Sequence, residues 1–150
     1  MSAAESRREF VDSNILVYPF DSAAGEKAKR ATRLLDERWS RRDGCLSLQV
    51  LQEFFVTVTR KIPSPLSHSD AASKVARFAE WHLHIPEKGD LLSAIELYDE
   101  LRISFWDAMI VQSARALRCL TLWTEDLNDG QTYAGVLVRN PFLDSVMERR

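Results

Sequence analysis

Four acids in this chain could do chemistry together: Asp12, Glu53, Asp107 and Asp126. Asp12 closes the apolar run "EFV". Glu53 lies in "SLQVLQEFF", Asp107 in "SFWDAMIVQSA" and Asp126 in "LWTEDLNDG", with Asp129 close behind as a possible fifth. Each has a plainer reading. Asp12 can form an Asx-turn or cap a helix, and Asp126 and Asp129 can simply make a turn. Glu53 falls in a polar stripe with Gln49, Thr57 and Arg60. Asp107 is the most telling. A helical wheel puts it beside Ile110 and between Val111 and Ala114, where a carboxylate loses hydration and needs a partner. Ser104-Phe-Trp-Asp107 also fits a loose capping box, which could be that partner. Taken as a group, the acids imply more. Neighbouring carboxylates repel, and none of these motifs brings its own Lys or Arg, so the cluster either binds protons or holds a hard cation. Oxygen-only ligands point to Mg²⁺, with Mn²⁺ as substitute. Mg²⁺ keeps waters and phosphate oxygens in its shell, so the substrate is expected to carry phosphate and the chemistry to be metal-assisted hydrolysis.

The elements that would gather these acids are legible in the hydrophobic pattern. Short apolar strands begin near Phe10, Cys45, His82, Leu120 and Val136, and longer helical stretches separate them. This alternation indicates an α/β fold, a mainly parallel five-stranded sheet flanked by helices, in one domain over residues 1–150. Asp12 or Ser13 caps a short helix through "ILVYPF". A basic helical stretch follows Asp21-Ser22, Ser47 caps "LQVLQEFFVTVTRK", and Ser69 opens "DAASKVARFAEW". In a parallel sheet all strands end at one edge, and ligands bind there. Asp12 and Asp126 follow the first and fourth strands, Asp107 opens the helix that feeds the fourth, and Glu53 sits in the helix after the second.

The bulk composition narrows the classes. The 150 residues are 45% hydrophobic and 28% charged, ordinary for a globular chain. A net charge of -2 gives no global basic field for packing nucleic acid, though it allows contact with RNA at one site. The basic stretch Lys27 to Arg42 reads as a solvated face, with phosphate contact as the sharper reading. Cys45 and Cys119 lack metal spacing and read as buried thiols in a reducing cytoplasm. "MSAAESRREF" has no apolar leader core, and no run approaches the roughly 18 residues of a membrane span. The expected location is cytoplasmic, away from membranes.

These motifs resemble the PIN domain, and within it the VapC-type toxin ribonucleases of toxin–antitoxin pairs. "FVDSNILVY" is similar to that family's opening strand and acid at Asp12, with Ser13 where Thr is usual. "SLQVLQEFF" is similar to its second-acid helix at Glu53, and "SFWDAMIVQSA" to its third at Asp107. "LWTEDLNDGQTYAGVLVRNPF" matches the region of the fourth acid, for which Asp126 is preferred over Asp129. The resemblance implies a PIN-like fold, Mg²⁺-dependent endoribonuclease activity on single-stranded RNA, a homodimer, and silencing by a small cognate antitoxin. It makes Asp12 and Asp107 the principal metal ligands, with Glu53 and Asp126 completing the cage directly or through water.

Other readings differ in what they require. A haloacid-dehalogenase-like phosphatase needs Asp-x-Asp after the first strand, and Asp12-Ser13-Asn14 lacks the second acid. A receiver-like domain needs a late lysine, and none follows Lys88. A non-catalytic PIN-like RNA-binding module would be marked by a lost acid, and all four are present. His82 and His84 share a strand face, but a zinc site there has no third ligand nearby in sequence. Trp39, Trp81, Trp106 and Trp123 read as core or interface residues, with base stacking by one of them as the sharper reading that nothing else in the sequence supports.

Overall fold

The computed structural model describes residues 7–143. Most of the N-terminal stretch expected to lack a leader core, Met1 to Ser6, lies outside them, as do the last residues of the 1–150 domain. The chain runs β1 (Glu9–Val11), α1 (Ser13–Val17), a 3₁₀ turn (Tyr18–Phe20), α2 (Glu26–Arg41), β2 (Gly44–Ser47), α3 (Leu48–Arg60) and α4 (His68–Phe78). It continues through β3 (His82–His84), α5 (Lys88–Leu101), α6 (Phe105–Ala116), β4 (Thr121–Trp123), β5 (Thr132–Tyr133) and β6 (Val136–Arg139).

The sheet order is β3-β2-β1-β4-β6-β5. All pairings are parallel except β5 with β6. The α/β architecture is as expected, with one correction: among the described residues the sheet has six strands rather than five. The extra strand, β5, is one arm of a hairpin. Its two-residue turn, Ala134-Gly135, has φ of 50° and 87°, the paired left-handed conformation that matches strand twist. Central β1 is apolar because both its faces are covered: Phe10 and Val11 are fully buried, in one core with Leu46 of β2, Leu122 of β4 and Val138 of β6.

The helices start where their caps allow. Ser47 Oγ accepts the Val50 N–H at 3.3 Å and starts α3, as expected. At α4 the cap is Ser67, whose Oγ accepts the Asp70 N–H at 3.0 Å, so Ser69 is inside the helix. α2 opens later than expected, at Gly25, and buries Ala31, Leu34, Leu35 and Arg38. Arg38 corrects the solvated-face reading. It is 0% exposed and held by Glu9, by Glu37 at 3.5 Å and by Asp43 at 3.0 Å. Trp123 Nε1 donates to the same Glu9 carboxylate at 2.6 Å, so this network ties α2 to β1 and β4. Burial pushes the Asp43 carboxyl up to about 6, against the pull of Arg38. The two cysteines are buried and free. Contact with Cys45, then burial, holds the Cys119 thiol above the ordinary range.

At the start of β2, Gly44 is required by a close approach. A Cβ there would lie 2.4 Å from Cε3 of Trp81. That ring has little room to retreat, because it meets Trp39 edge-on at 5.3 Å and Phe78 at 5.6 Å. Gly44→Ala is therefore expected to destabilise the chain by about 1–3 kcal/mol, the usual range for overpacking. At this size that lowers the melting midpoint by roughly 3–10 °C. An unchanged midpoint would mean that the aromatic cluster is loosely packed.

Candidate active site

Because β1, β2 and β4 run parallel, their carboxyl ends meet at one edge, and four acids arrive there by different routes. Asp12 leaves β1 and caps α1. Its Oδ1 accepts the Ser13 backbone N–H at 2.7 Å and its Oδ2 accepts the Thr124 hydroxyl at 2.8 Å. It is only 6% exposed. Burial pushes its pKa from 3.8 to about 7, against both hydrogen bonds, and the charges of Asp126 and Glu53 push the same way. Asp107 sits in the first turn of α6, half-buried. Ser104 Oγ accepts the Asp107 backbone N–H at 3.1 Å. The cap engages the Asp107 backbone; burial raises the pKa of its carboxyl, the Ser104 hydroxyl opposes this, and the charge of Asp126 adds to the rise.

Glu53 projects from the second turn of α3 and is exposed. Loss of solvent around its carboxyl raises its pKa, with Asp107 and Asp126 adding to the effect, while Gln49 and Lys61 oppose it. Asp126 follows β4, and its backbone N–H donates to Thr124 Oγ1 at 3.1 Å. Its charge acts on Asp12, Glu53 and Asp107 alike, so the structure brings these four acids into one electrostatic neighbourhood. Asp129 is occupied elsewhere: its Oδ1 accepts the Asn140 N–H at 2.9 Å and braces the hairpin.

Sequence reasoning missed two positioning side chains. Thr124 links Asp12 to the Asp126 backbone. Its signal was its place in "WTED", two residues before an acid at a strand end. Gln49 Nε2 lies 3.4 Å from Glu53 Oε1 and 3.3 Å from the Trp106 carbonyl oxygen, joining α3 to α6. It stands one helical turn before Glu53, which was the available signal.

The histidines are used separately. His82 Nε2 lies 3.3 Å from the Arg42 carbonyl. His84 Nδ1 is 2.8 Å from Ser113 Oγ, and its Nε2 is 3.3 Å from Asp90. This Ser–His–Asp chain braces α5 against α6; Ser113 is 1% exposed and no substrate reaches it.

Residues 10–130 match the family described as PIN domain. The chain belongs to the PIN domain family. No curated protein matches its sequence closely. Solved structures share the fold at low identity. A toxin–antitoxin complex from Klebsiella pneumoniae aligns with TM-score 0.65 and 18% identity, over 89% of this chain and 98% of that one. DNA-bound VapBC from Salmonella typhimurium aligns at 0.63 and 16%, over 90% and 98%. VapC20 of Mycobacterium tuberculosis, described as a sarcin–ricin loop cleaving toxin, aligns at 0.59 and 18%, over 86% and 98%.

In this PIN domain the donor set is carboxylate oxygen throughout, which suits a hard divalent cation. Among the described residues no three His, Cys, Asp or Glu side chains converge closely enough to hold one ion unaided. That still fits Mg²⁺, which takes one or two protein carboxylates and fills its shell with water and phosphate oxygens.

Proposed function

We propose that this PIN domain is a Mg²⁺- or Mn²⁺-dependent endoribonuclease and the toxin of a type II toxin–antitoxin pair. The observation that carries the reading is the shared carboxylate edge, where Asp12, Glu53 and Asp107 all have raised pKa values. Such a site binds protons when empty and favours a cation when loaded. The family match and the toxin–antitoxin neighbours support the same reading.

Asp12 and Asp107 would hold the cation, with Glu53 and Asp126 reaching it directly or through water. When bound, it supplies charge stabilisation for the phosphate and lowers the pKa of the attacking water. The chain's own part is orientation and proton handling. Thr124 and the Ser13 N–H fix both Asp12 oxygens. Glu53 and Asp126, the exposed members, would take the proton from a water that attacks phosphorus. The P–O bond to the leaving oxygen then breaks, and that oxygen gains a proton. A small antitoxin would silence the site, and the working form is a homodimer in the cytoplasm. Among the described residues no helix is long and apolar enough to cross a membrane.

Purified protein is expected to cut an RNA with an exposed loop when Mg²⁺ or Mn²⁺ is present, and EDTA is expected to stop it. Equal cleavage in EDTA would overturn the metal mechanism. Release of phosphate from an aryl phosphate without RNA cleavage would favour a phosphatase instead.

A further inference from the structure

Beside the acids the surface turns aromatic. Trp106 precedes Asp107 in the first turn of α6, and it is 62% exposed. Gln49 bridges its carbonyl to the Glu53 carboxylate. Trp106 is thus the chain neighbour of one acid, and its backbone carbonyl is joined through the Gln49 amide to another. Its ring meets Phe105 edge-on, with centroids 5.1 Å apart. Phe105 in turn meets Tyr98 of α5 at 6.3 Å, and Tyr98 is 48% exposed. Tyr98, Asp99, Arg102 and Ile103 line an open cleft of about 340 Å³. Arg102 is exposed there, and among the described residues no carboxylate pairs with it.

The rings thus run from the acid edge to a cleft holding an unpaired guanidinium. An aromatic track ending in a cation suits a single nucleic-acid strand, whose bases offer flat faces and whose backbone offers phosphate. Tyr98 also continues an exposed apolar stripe of α5 with Leu91 and Ile95, so a protein seated on that stripe is the rival occupant that the test must separate. Resting on the ribonuclease reading above, we infer that Trp106 is the platform for a base beside the scissile phosphate of single-stranded RNA, and that Tyr98 and Arg102 receive the next base and its phosphate. The track makes the enzyme select unpaired strands, because a base within a duplex has no free face to lay on Trp106.

The test is steady-state cleavage of an unstructured oligoribonucleotide in Mg²⁺ by the full chain and by Trp106→Ala and Trp106→Phe. A second oligonucleotide lacks the bases on either side of the cleaved bond, and light scattering follows the assembly state of each variant. Trp106→Ala is expected to raise KM by about 5- to 100-fold, the usual range for losing one stacked base, and to leave kcat within a few-fold. Trp106→Phe should keep most of the affinity. On the RNA lacking those bases, wild type and Trp106→Ala should be alike. An unchanged KM in Trp106→Ala overturns the inference. So does an equal loss on both RNAs. A loss that accompanies dissociation into smaller species overturns it too, and assigns the face to contact between copies of this chain. If wild type cleaves no RNA, the ribonuclease reading falls as well. If wild type cleaves and Trp106→Ala cleaves equally, only the stacking role falls.

Discussion

Asp107→Asn is expected to abolish RNA cleavage while the fold survives. The helix cap does not depend on the Asp107 side chain, because Ser104 Oγ accepts from the Asp107 backbone N–H. The amide matches the carboxylate in size, so α6 keeps its packing. What disappears is the negative charge on a half-buried group whose carboxyl is already raised by burial and by Asp126. A hard cation binds a neutral amide oxygen far less well than a carboxylate. Loss of one preorganised electrostatic partner commonly lowers kcat by about 100- to 1,000-fold, and a loss of at least about 100-fold is expected here. Ser104→Ala is the control. It removes the cap and should lower stability by about 0.5–2 kcal/mol while cleavage per folded molecule persists. Wild-type cleavage by Asp107→Asn would make Asp107 a residue of the fold alone.

The second large effect is on stability without metal. Asp12 keeps its proton in the folded chain up to about pH 7, whereas an unfolded aspartate loses it near 3.8. Between those values the folded state binds more protons, so stability falls as pH rises through that window and levels off above it. Across the whole window the loss from Asp12 approaches about 4 kcal/mol, of which roughly 2–3 kcal/mol falls between pH 5 and pH 8. In melting midpoint that is about 5–10 °C. Asp43, raised to about 6, adds a slope of the same sign, so the decisive comparison is with Asp12→Asn. Its amide oxygen can still accept from Ser13 and its NH₂ can donate to Thr124 Oγ1, so the variant should fold. Its midpoint in EDTA should depend less on pH and should equal or exceed that of wild type at pH 8. Metal reverses the order. For a dissociation constant on the order of 1 mM, 10 mM Mg²⁺ adds about 1.4 kcal/mol to wild type, or roughly 3–6 °C. Asp12→Asn should gain little. Parallel pH slopes in the two proteins would remove Asp12 from the cluster.

Much of this was legible in the chain because local chemistry and the fold agree. β1, β2 and β6 are short apolar runs, Ser47 and Ser104 are capping residues before periodic stretches, and parallel strand order then carries Asp12, Glu53, Asp107 and Asp126 to one edge. What escaped depends on partners distant in sequence. Arg38 lies on the apolar stripe of α2 with Leu34 and Leu35, but only Glu9 and Asp43, from other elements, make its burial tolerable. β5 has two residues, too few for any periodicity, and its existence rests on the conformation of Ala134-Gly135. Asp126 and Asp129 look alike in "EDLNDG", and only the Asn140 N–H separates them.

The hairpin that adds β5 also decides how this sheet ends. One border is then a strand of two residues, Thr132–Tyr133, and the other is β3, with three, His82–His84. A free strand edge is a template on which another chain can add itself, and long flat edges seed aggregation. Neither border here offers more than a few backbone groups in register. Among the described residues the sheet is thus blunted at both borders, which disfavours recruitment of stray strands and pairing of copies edge to edge.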